Sequence, residues 1–210
     1  MKEKIIVVGC GGHAKVLINI IKKESCYELT GYIDKQNHGE ILGLPYLGDD
    51  SELYKIFQNG IKVAVIGIGQ VHITKKRSEL TRKLEEIGFK LPYIISKNAV
   101  INEDVIIGEG TQIFDGVVIN PGTRIGKGCI INTCATIEHD CNIGNFCHIA
   151  TRAVLSGGVE IEDFSMIGSN AVIVQFKKIT SNTLIGSGGV VIRDIPESGT
   201  YVGNPVRKVS

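Results

Sequence analysis

Two histidines lie nine residues apart in the stretch NTCATIEHDCNIGNFCHI, which is otherwise rich in small and apolar residues. Three polar residues near His139 and His148 in the sequence could orient an imidazole, namely Asn132, Glu138 and Asp140. A neutral imidazole held by a carboxylate can act as a general base near pH 7. Two solvent-facing histidines on an ordinary surface would give the same pattern, and this segment taken alone favours that interpretation.

A second group of residues suited to chemistry lies near the start of the chain, in KIIVVGCGGHAKVLINIIKKE. A short apolar run, three glycines and a helical pattern predict a strand, a tight turn and a helix, which together open a βαβ unit. Unpaired N–H groups and the helix dipole at such a turn favour phosphate. Because position 14 is alanine, the loop is not a full GxGxxG, and a ligand-free turn is equally compatible with it.

Asp34 follows the second expected strand, residues 28–33. An acid about twenty residues beyond the glycine loop contacts the ribose in dinucleotide-binding domains, although a capped loop end would look the same. Helices expected at 51–59 and 74–88, with a buried strand between them, complete a parallel α/β domain of about four strands. A domain of this size suits half of a dinucleotide-binding fold, holding a mononucleotide or a nucleotide diphosphate group.

The second half of the chain repeats every six residues, a period that fits neither a helix nor a simple strand. Small residues recur four positions after the large aliphatic ones, and glycines recur every eighteen residues at 108, 126 and 144. This pattern predicts a three-sided solenoid of about five coils with one recurrent tight corner, each hexad being one strand and one corner. The aliphatic positions are Ile95, Ile101, Ile107, Ile113, Ile119, Ile125, Ile131, Ile137, Ile143, Ile149, Leu155, Ile161, Ile167, Ile173, Ile179, Ile185 and Val191.

Six cysteines are present, and three of them, Cys129, Cys141 and Cys147, fall on the small-residue positions of the repeat. These three are therefore expected in the core. A zinc site is the weaker interpretation, because the sequence contains no CxxC pair and the repeat already accounts for three cysteines; its ligands would come from Cys134, His139, Cys141, Cys147 and His148.

Composition excludes several classes of function. The formal net charge of the 210 residues is +1 with no basic block, which argues against nucleic acid as a partner. No apolar run is long enough to span a membrane, and the sequence MKEKIIVVG enters a strand directly and does not resemble a signal peptide. A cytoplasmic protein without a membrane span is expected.

Four motifs occur in one order along the chain: GCGGHAKV, the six-residue repeat, IEHDCNIGNFCHI and the closing GNPVRKV. The chain thereby resembles the hexapeptide-repeat sugar acetyltransferases, in the family of sialic-acid O-acetyltransferases and UDP-4-amino-sugar N-acetyltransferases of the bacillosamine and perosamine type. The resemblance implies an α/β N-terminal half-Rossmann-like domain followed by a left-handed parallel β-helix built from hexapeptide repeats. It also implies a homotrimer that uses acetyl-CoA as cosubstrate and no metal. The expected divisions are 1–92 for the nucleotide-sugar-binding domain, 93–192 for the β-helix and 193–210 for a tail near CoA.

The resemblance also implies roles for residues of the β-helix. His139 matches the catalytic base and Asp140 the acid that orients it. His148 matches a second histidine near the acetyl group and the thioester. Asn132 matches an amide beside the acceptor sugar, and the backbone N–H of Gly157 matches a donor to the acetyl carbonyl oxygen.

In the N-terminal domain the resemblance implies a substrate-binding loop. Asp34 matches an acid that contacts the nucleotide base. The residues matching the loop that holds the pyrophosphate are Gly9, Gly11, Gly12 and His13. In the closing tail, Val206 replaces the alanine that is usual in the family, which puts only the packing around CoA in doubt.

The function implied is acetyl-CoA-dependent N-acetylation of the 4-amino group of a nucleotide-linked sugar for surface glycan synthesis, by direct attack with His139 as general base. The alternative within the family is O-acetylation of sialic acid or a related sugar. A thiol nucleophile would have to be Cys134 or Cys141, and Cys141 is expected to face the core. Outside enzymes, a non-catalytic nucleotide sensor is the competing hypothesis. The sequence leaves open which nucleotide the sugar carries.

Overall fold

The computed structural model describes residues 2–210 and divides into two compact units. The first unit comprises the chain up to Gly69 together with Lys76–Ile94, and the second comprises Gln70–Lys75 together with Ile95–Ser210. None of the helices in the described chain is long and apolar enough to cross a membrane.

The first unit is a parallel sheet of three strands in the order β2-β1-β3, joined by helices. The sequence-based expectation of about four strands is wrong. The segment around Pro45 contributes only a single bridge, between Tyr46 and Tyr32, and proline has no N–H with which to extend the pairing. The elements are β1 Glu3–Val8, α1 Gly12–Glu24, β2 Tyr27–Ile33, α2 Leu53–Gln58, β3 Val63–Ile66 and α3 Lys76–Ile87.

Apolar runs decide where these elements form. The last four residues of β1 and all four residues of β3 are buried, which is typical of parallel strands covered on both faces. The helix α1 buries five residues at helical spacing, namely Ala14, Leu17, Ile18, Ile20 and Ile21. Because β1 and β2 pair in parallel, their carboxyl ends lie side by side, and the loop after β1 meets the loop after β2 there.

The second unit is a parallel β-helix with three faces. Each strand pairs with the strand eighteen residues further on, as Ile137 does with Leu155, so one coil is three hexads as predicted. The first face contains β4 Ile94–Ile95, β7 Gln112–Ile113, β10 Ile130–Ile131, β13 His148–Ile149, β16 Met166–Ile167 and β19 Thr183–Ile185. The second contains β5 Val100–Ile101, β8 Val118–Ile119, β11 Thr136–Ile137, β14 Val154–Leu155, β17 Val172–Ile173 and β20 Val190–Val191. The third contains β6 Ile106–Ile107, β9 Arg124–Ile125, β12 Asn142–Ile143, β15 Glu160–Ile161 and β18 Lys178–Ile179.

Both residue ladders of the repeat point into the core, as the sequence predicts. From Ile113 to Val191 every aliphatic ladder position is buried, and so are the small positions beside it. The first three ladder residues, Ile95, Ile101 and Ile107, are only partly buried and lie in the first strand of each face. The interior is therefore a continuous stack of large and small side chains.

The corners differ from the prediction. Gly108, Gly126 and Gly144 are not in the left-handed region; instead a Cβ on Gly126 would lie 2.7 Å from the carbonyl carbon of Gly144. These glycines allow adjacent coils to approach closely. The left-handed residues recur every six positions at all three kinds of corner, from Asp104 to Gly188. Glycine, asparagine and aspartate occupy many of these positions, because they tolerate positive φ best.

The end of the β-helix is covered by a short hairpin. The strand β21, Gly199–Gly203, pairs in parallel with β19, and β22, Val206–Lys208, pairs antiparallel with β21. Tyr201 is buried against the last coil of the core. The hairpin thus supplies a cap for a solenoid edge that would otherwise be open.

Candidate active site

His139 and Asp140 occupy a corner between β11 and β12, with Asp140 in the left-handed conformation at φ 57°. His139 Nδ1 lies 2.8 Å from Asp140 Oδ2. A carboxylate only accepts hydrogen bonds, so Nδ1 carries the proton and the lone pair of Nε2 is left to accept another. The two side chains are 58% and 72% exposed, so this Nε2 is accessible to a substrate.

Gly157 lies directly beside this imidazole, one coil further along. A Cβ on Gly157 would lie 2.6 Å from both Cε1 and Nε2 of His139. Two of the residues at the same corner position of other coils, Pro121 and Gln175, carry side chains, so the backbone there does not require glycine. The absence of a side chain at Gly157 instead leaves room for the ring of His139, and the next N–H, of Gly158, donates to the His139 carbonyl at 2.9 Å.

Glu138 is the other acid beside His139 in the sequence, and its carboxylate is engaged elsewhere. Its Oε2 accepts from Asn120 Nδ2 at 2.8 Å, and Asn120 Oδ1 accepts from Asn102 Nδ2 at 2.9 Å. These side chains form a ladder along one corner. Asp140, and not Glu138, is the acid within hydrogen-bond distance of the His139 imidazole.

His148 has a different environment. It lies on β13 with 6% of its surface exposed, although its position outside both core ladders predicts an outward direction. Its Nδ1 lies 2.9 Å from the carbonyl oxygen of Gln70, which can only accept, and its Nε2 lies 3.3 Å from Nδ2 of Asn132. Because Asn132 Oδ1 already accepts the N–H of Thr133 at 2.8 Å, the amide NH2 faces the histidine. His148 is therefore assigned as neutral with its proton on Nδ1.

Gln70 is a residue of this site that sequence reasoning missed. It is 5% exposed and it precedes His148 by 78 residues in the chain. Its Nε2 is buried without a hydrogen-bond partner among residues 2–210. A contact made by a loop carbonyl over such a distance leaves no signal in the sequence, since any residue type offers a carbonyl oxygen.

In the first unit the three loop glycines separate into two kinds. Gly9 is buried at φ 103°, and a Cβ there would lie 2.7 Å from Ile68 Cγ1, so it is needed for the turn itself. Gly11 and Gly12 are exposed, and a Cβ on either would meet nothing within 4 Å. Gly11 is the N-cap of α1, with no side-chain cap. Open space before a helix N-terminus is suited to an anion.

His13 and Lys15 follow in the first turn of α1. His13 packs against Gly69, where a Cβ would lie 3.0 Å from the His13 Cβ. Lys15 lines a cavity of about 600 Å³ that also includes Gly11 and Asp34. A second cavity, of about 590 Å³ and including Gly9, shares Asp34 with the first.

Asp34 is held by the glycine loop. Its Oδ2 accepts the backbone N–H of Cys10 at 3.0 Å. Burial opposes ionisation of this acid, but hydrogen bonds from the Cys10 thiol and from the N–H groups of Gln36 and Cys10 outweigh it and lower the pKa of Asp34. Burial and the same contact with Asp34 raise the pKa of Cys10 to about 11. At neutral pH the site therefore presents a carboxylate beside a protonated thiol.

The structure places both cysteines considered as nucleophiles. Cys141 is buried in the core, and burial raises its pKa to about 11, which makes a thiolate nucleophile unfavourable. Cys134 is exposed at a left-handed corner that stacks on Gly116. His139 stacks on Gly157 at a different corner of the coil.

Two protein-domain families match successive parts of the chain. Residues 4–84 match the PglD N-terminal domain, and residues 92–191 match the GMPPB C-terminal domain. No curated protein sequence matches the chain.

Several solved structures resemble the whole chain. PerB from Caulobacter crescentus, in complex with CoA and GDP-perosamine, is 33% identical over 99% of this chain and 97% of that one, with a TM-score of 0.92. The acetyltransferase domain of PglB from Neisseria gonorrhoeae, in complex with acetyl coenzyme A, is 31% identical over 100% of both chains, with a TM-score of 0.92. WeeI from Acinetobacter baumannii is 28% identical over 99% of this chain and 100% of that one, with a TM-score of 0.87.

These matches confirm the family and the fold that the motifs predict. They extend over both units, and the relatives include the perosamine N-acetyltransferase of Caulobacter crescentus and the acetyltransferase domain of PglB from Neisseria gonorrhoeae. The chain belongs to the hexapeptide-repeat, left-handed β-helix sugar N-acetyltransferases of the perosamine and bacillosamine type.

Proposed function

We propose that this protein transfers the acetyl group of acetyl-CoA to an amino group of a nucleotide-linked sugar, at the 4-amino position, for surface glycan synthesis. The observation that carries the proposal is the His139–Asp140 pair in a chain that matches PerB, bound to CoA and GDP-perosamine, over nearly its full length. The perosamine N-acetyltransferase of Caulobacter crescentus is among the relatives of this chain, and no observation on this chain favours O-acetylation of sialic acid.

In this reaction His139 is the catalytic base. The sugar amine attacks the thioester carbon, a C–N bond forms, the carbon becomes tetrahedral and its oxygen gains charge. His139 Nε2 takes the proton that the nitrogen loses, and the C–S bond breaks as the carbonyl group forms again. Asp140 is a positioning residue, because its hydrogen bond to Nδ1 keeps the lone pair on Nε2 and stabilises the imidazolium. The proton then passes to the departing thiolate of CoA. Neither a metal nor an acyl-enzyme takes part in this sequence.

The backbone N–H of Gly157 is proposed to donate to the acetyl carbonyl oxygen as charge develops on it. Support comes from the contact of Gly157 with the reactive edge of His139, which brings donor and base to one place. His148 and Asn132 are hydrogen-bonded to each other, so both side chains are placed in the same part of the site. We propose that His148 contacts acetyl-CoA and that Asn132 contacts the acceptor sugar.

The glycine loop is proposed to hold the pyrophosphate through Gly9, Gly11, Gly12 and His13. The open space before Gly11 and Gly12 and the positive charge of Lys15 support this assignment. Asp34, ionised at neutral pH, is proposed to accept N–H groups of the nucleotide base.

We further propose a homotrimer, because three-sided prisms pack about a threefold axis. The functional divisions that we propose are 1–92 for nucleotide-sugar binding, 93–192 for the β-helix and 193–210 for a tail near CoA. Use of acetyl-CoA as the acyl donor supports a cytoplasmic reaction.

The test is a thiol-release assay with acetyl-CoA against GDP-, UDP- and dTDP-linked 4-amino sugars and free sialic acid. His139→Asn is expected to lower kcat with its best substrate by about 10²–10⁴-fold, the usual contribution of a general base, while KM changes little. His72→Asn, which alters another exposed histidine, is the matched control and should retain wild-type kcat. Unchanged turnover in His139→Asn, or turnover with sialic acid only, would contradict the proposal.

A further inference from the structure

Three side chains of different chemistry lie close together in the first unit, beyond the carboxyl ends of β1 and β2. The ligand atoms of Cys10, Asp34 and His38 all lie within 4.8 Å of one another. Cys10 belongs to the loop after β1 and Asp34 follows β2, so the pairing of these two strands brings them together. This is the one such cluster of metal-binding side chains among residues 2–210.

The position of His38 is set by its own loop. The His38 N–H donates to the hydroxyl of Tyr32 at 3.0 Å, and that hydroxyl donates to the carbonyl oxygen of Gly39 at 2.8 Å. Tyr32 is itself fully buried in β2. A rigid residue of the sheet therefore holds the loop so that the His38 side chain lies near Cys10 and Asp34.

Thiolate, imidazole and carboxylate are the three kinds of ligand that zinc uses in proteins. A set of three leaves one position open, which is the arrangement of sites that also bind water or a second ligand. All three residues line the cavity of about 600 Å³, so a fourth ligand can reach the ion from solvent. Glu40 lines this cavity as a further anionic group, and Lys15 as an opposing cation.

We propose that Cys10, Asp34 and His38 form a site for a borderline divalent metal ion of the Zn²⁺ class, and that occupancy of this site excludes the nucleotide sugar. Binding replaces the thiol proton of Cys10, which is released to solvent, by a metal–sulfur bond. Exclusion rests on the proposed function, because that function assigns Asp34 and the adjoining loop to the nucleotide. The ion is an inhibitor in this scheme and takes no part in acetyl transfer.

The metal site is tested first without substrate. Co²⁺ is titrated into the full-length protein after treatment with a chelator, and the thiolate-to-cobalt charge-transfer band is followed by absorption. The band is expected in wild type, and it should be lost in Cys10→Ser. In His38→Gln the affinity should fall by at least about tenfold.

The exposed Cys26 provides the matched control, because Cys26→Ser removes a thiol outside the cluster and should keep the band. Circular dichroism of each variant establishes that it is folded before the titration is compared. A band of wild-type strength in Cys10→Ser, or no band in wild type, would overturn the site.

Exclusion is tested separately with nucleotides. Adding GDP, UDP or dTDP is expected to weaken Co²⁺ binding to the wild-type protein in proportion to nucleotide concentration. In steady-state kinetics, Zn²⁺ is expected to raise the KM for the nucleotide sugar while kcat is retained. Full Co²⁺ affinity at saturating nucleotide would refute exclusion. Because the cobalt band is read without turnover, the metal site is decided even where acetyl transfer fails.

Discussion

The two histidines of the β-helix have opposite environments, and this difference supports the different roles proposed for them. His139 is exposed and commits one ring nitrogen to Asp140, so the other can take a proton. His148 is buried and commits both nitrogens, one to a backbone carbonyl and one to Asn132. A general base needs an accessible lone pair, and only the first arrangement provides it.

The orienting role proposed for Asp140 predicts a specific kinetic defect. Asp140→Asn is expected to lower kcat by at least about tenfold, and by no more than the 10²–10⁴-fold expected for loss of the base, because the amide stabilises imidazolium poorly. KM for both substrates should change little. Asparagine tolerates the left-handed backbone at this position, so the fold is preserved.

The matched control for this variant is Asp104→Asn. Asp104 is an exposed acid in the same left-handed corner position, two coils earlier, at φ 58°. Steady-state kinetics should show wild-type kcat for Asp104→Asn. Equal kcat values in the two variants would remove Asp140 from the mechanism.

The contact between Gly157 and His139 predicts that a single methyl group disturbs catalysis. Gly157→Ala places a Cβ within 3 Å of the imidazole edge, so the ring must move away from its present position. A displacement of about 1 Å in a catalytic group can cost about 10²-fold in rate, and we expect a fall in kcat of that order. Gln175→Ala, at the same corner position one coil later, should leave kcat unchanged, whereas a fully active Gly157→Ala would contradict the prediction.

Burial predicts that the two histidines differ in their contribution to stability. His148→Ala leaves the buried carbonyl of Gln70 without its donor, which is expected to lower the free energy of unfolding by about 1–3 kcal/mol. His139→Ala alters an exposed side chain and should stay within about 0.5 kcal/mol of wild type. Urea denaturation of both variants measures the difference, and similar values for the two would refute it.

At the scale of elements, the eighteen-residue coil is what assembles the site. His139 and Gly157 are equivalent positions of successive coils, so the stacking of β11 on β14 brings them together. Ile137 and Leu155 stack in the same register beneath the corner. The packing of Ile137 on Leu155 therefore fixes the distance between His139 and Gly157 along the axis of the β-helix.

Removing one rung of this ladder is expected to destabilise the protein. Ile137→Ala deletes a fully buried side chain between Ile119 and Leu155, and large-to-small changes of this kind cost about 2–5 kcal/mol. Arg124→Ala, which shortens an exposed side chain on β9, should change the free energy of unfolding by less than about 0.5 kcal/mol. Chemical denaturation of both variants gives the comparison, and a cost below 1 kcal/mol for Ile137→Ala would be inconsistent with a close-packed interior.

At the scale of the whole molecule, the proposed trimer predicts the mass in solution. Light scattering is expected to give three times the chain mass of 22.7 kDa. Because the formal net charge of each chain is only +1, electrostatic repulsion between copies is weak, and the mass should not depend on salt. A fully active protein with the mass of one chain would contradict the trimer.

The β-helix can be predicted from the sequence alone, because its repeat is local and its period of six fits no ordinary helix or strand. The sequence also indicates the family, through motifs that each lie within a few consecutive residues, and it places His139 beside Asp140 because the two are adjacent in the chain. Local conformation and covalent neighbourhood require no knowledge of the fold.

Contacts between residues that are far apart in the chain could not be predicted without the folded structure. The contact between Gly157 and His139 depends on the stacking of successive coils. The hydrogen bond between His148 and the Gln70 carbonyl depends on a loop 78 residues away. The proximity of Cys10 and His38 depends on the order of the strands in the sheet. The burial of His148 could not be predicted for the same reason, since its position in the repeat specifies an outward direction and not what covers it. The repeat pattern specifies the direction of a side chain relative to the local axis, whereas the burial and the tautomer of His148 are set by groups that only folding brings together.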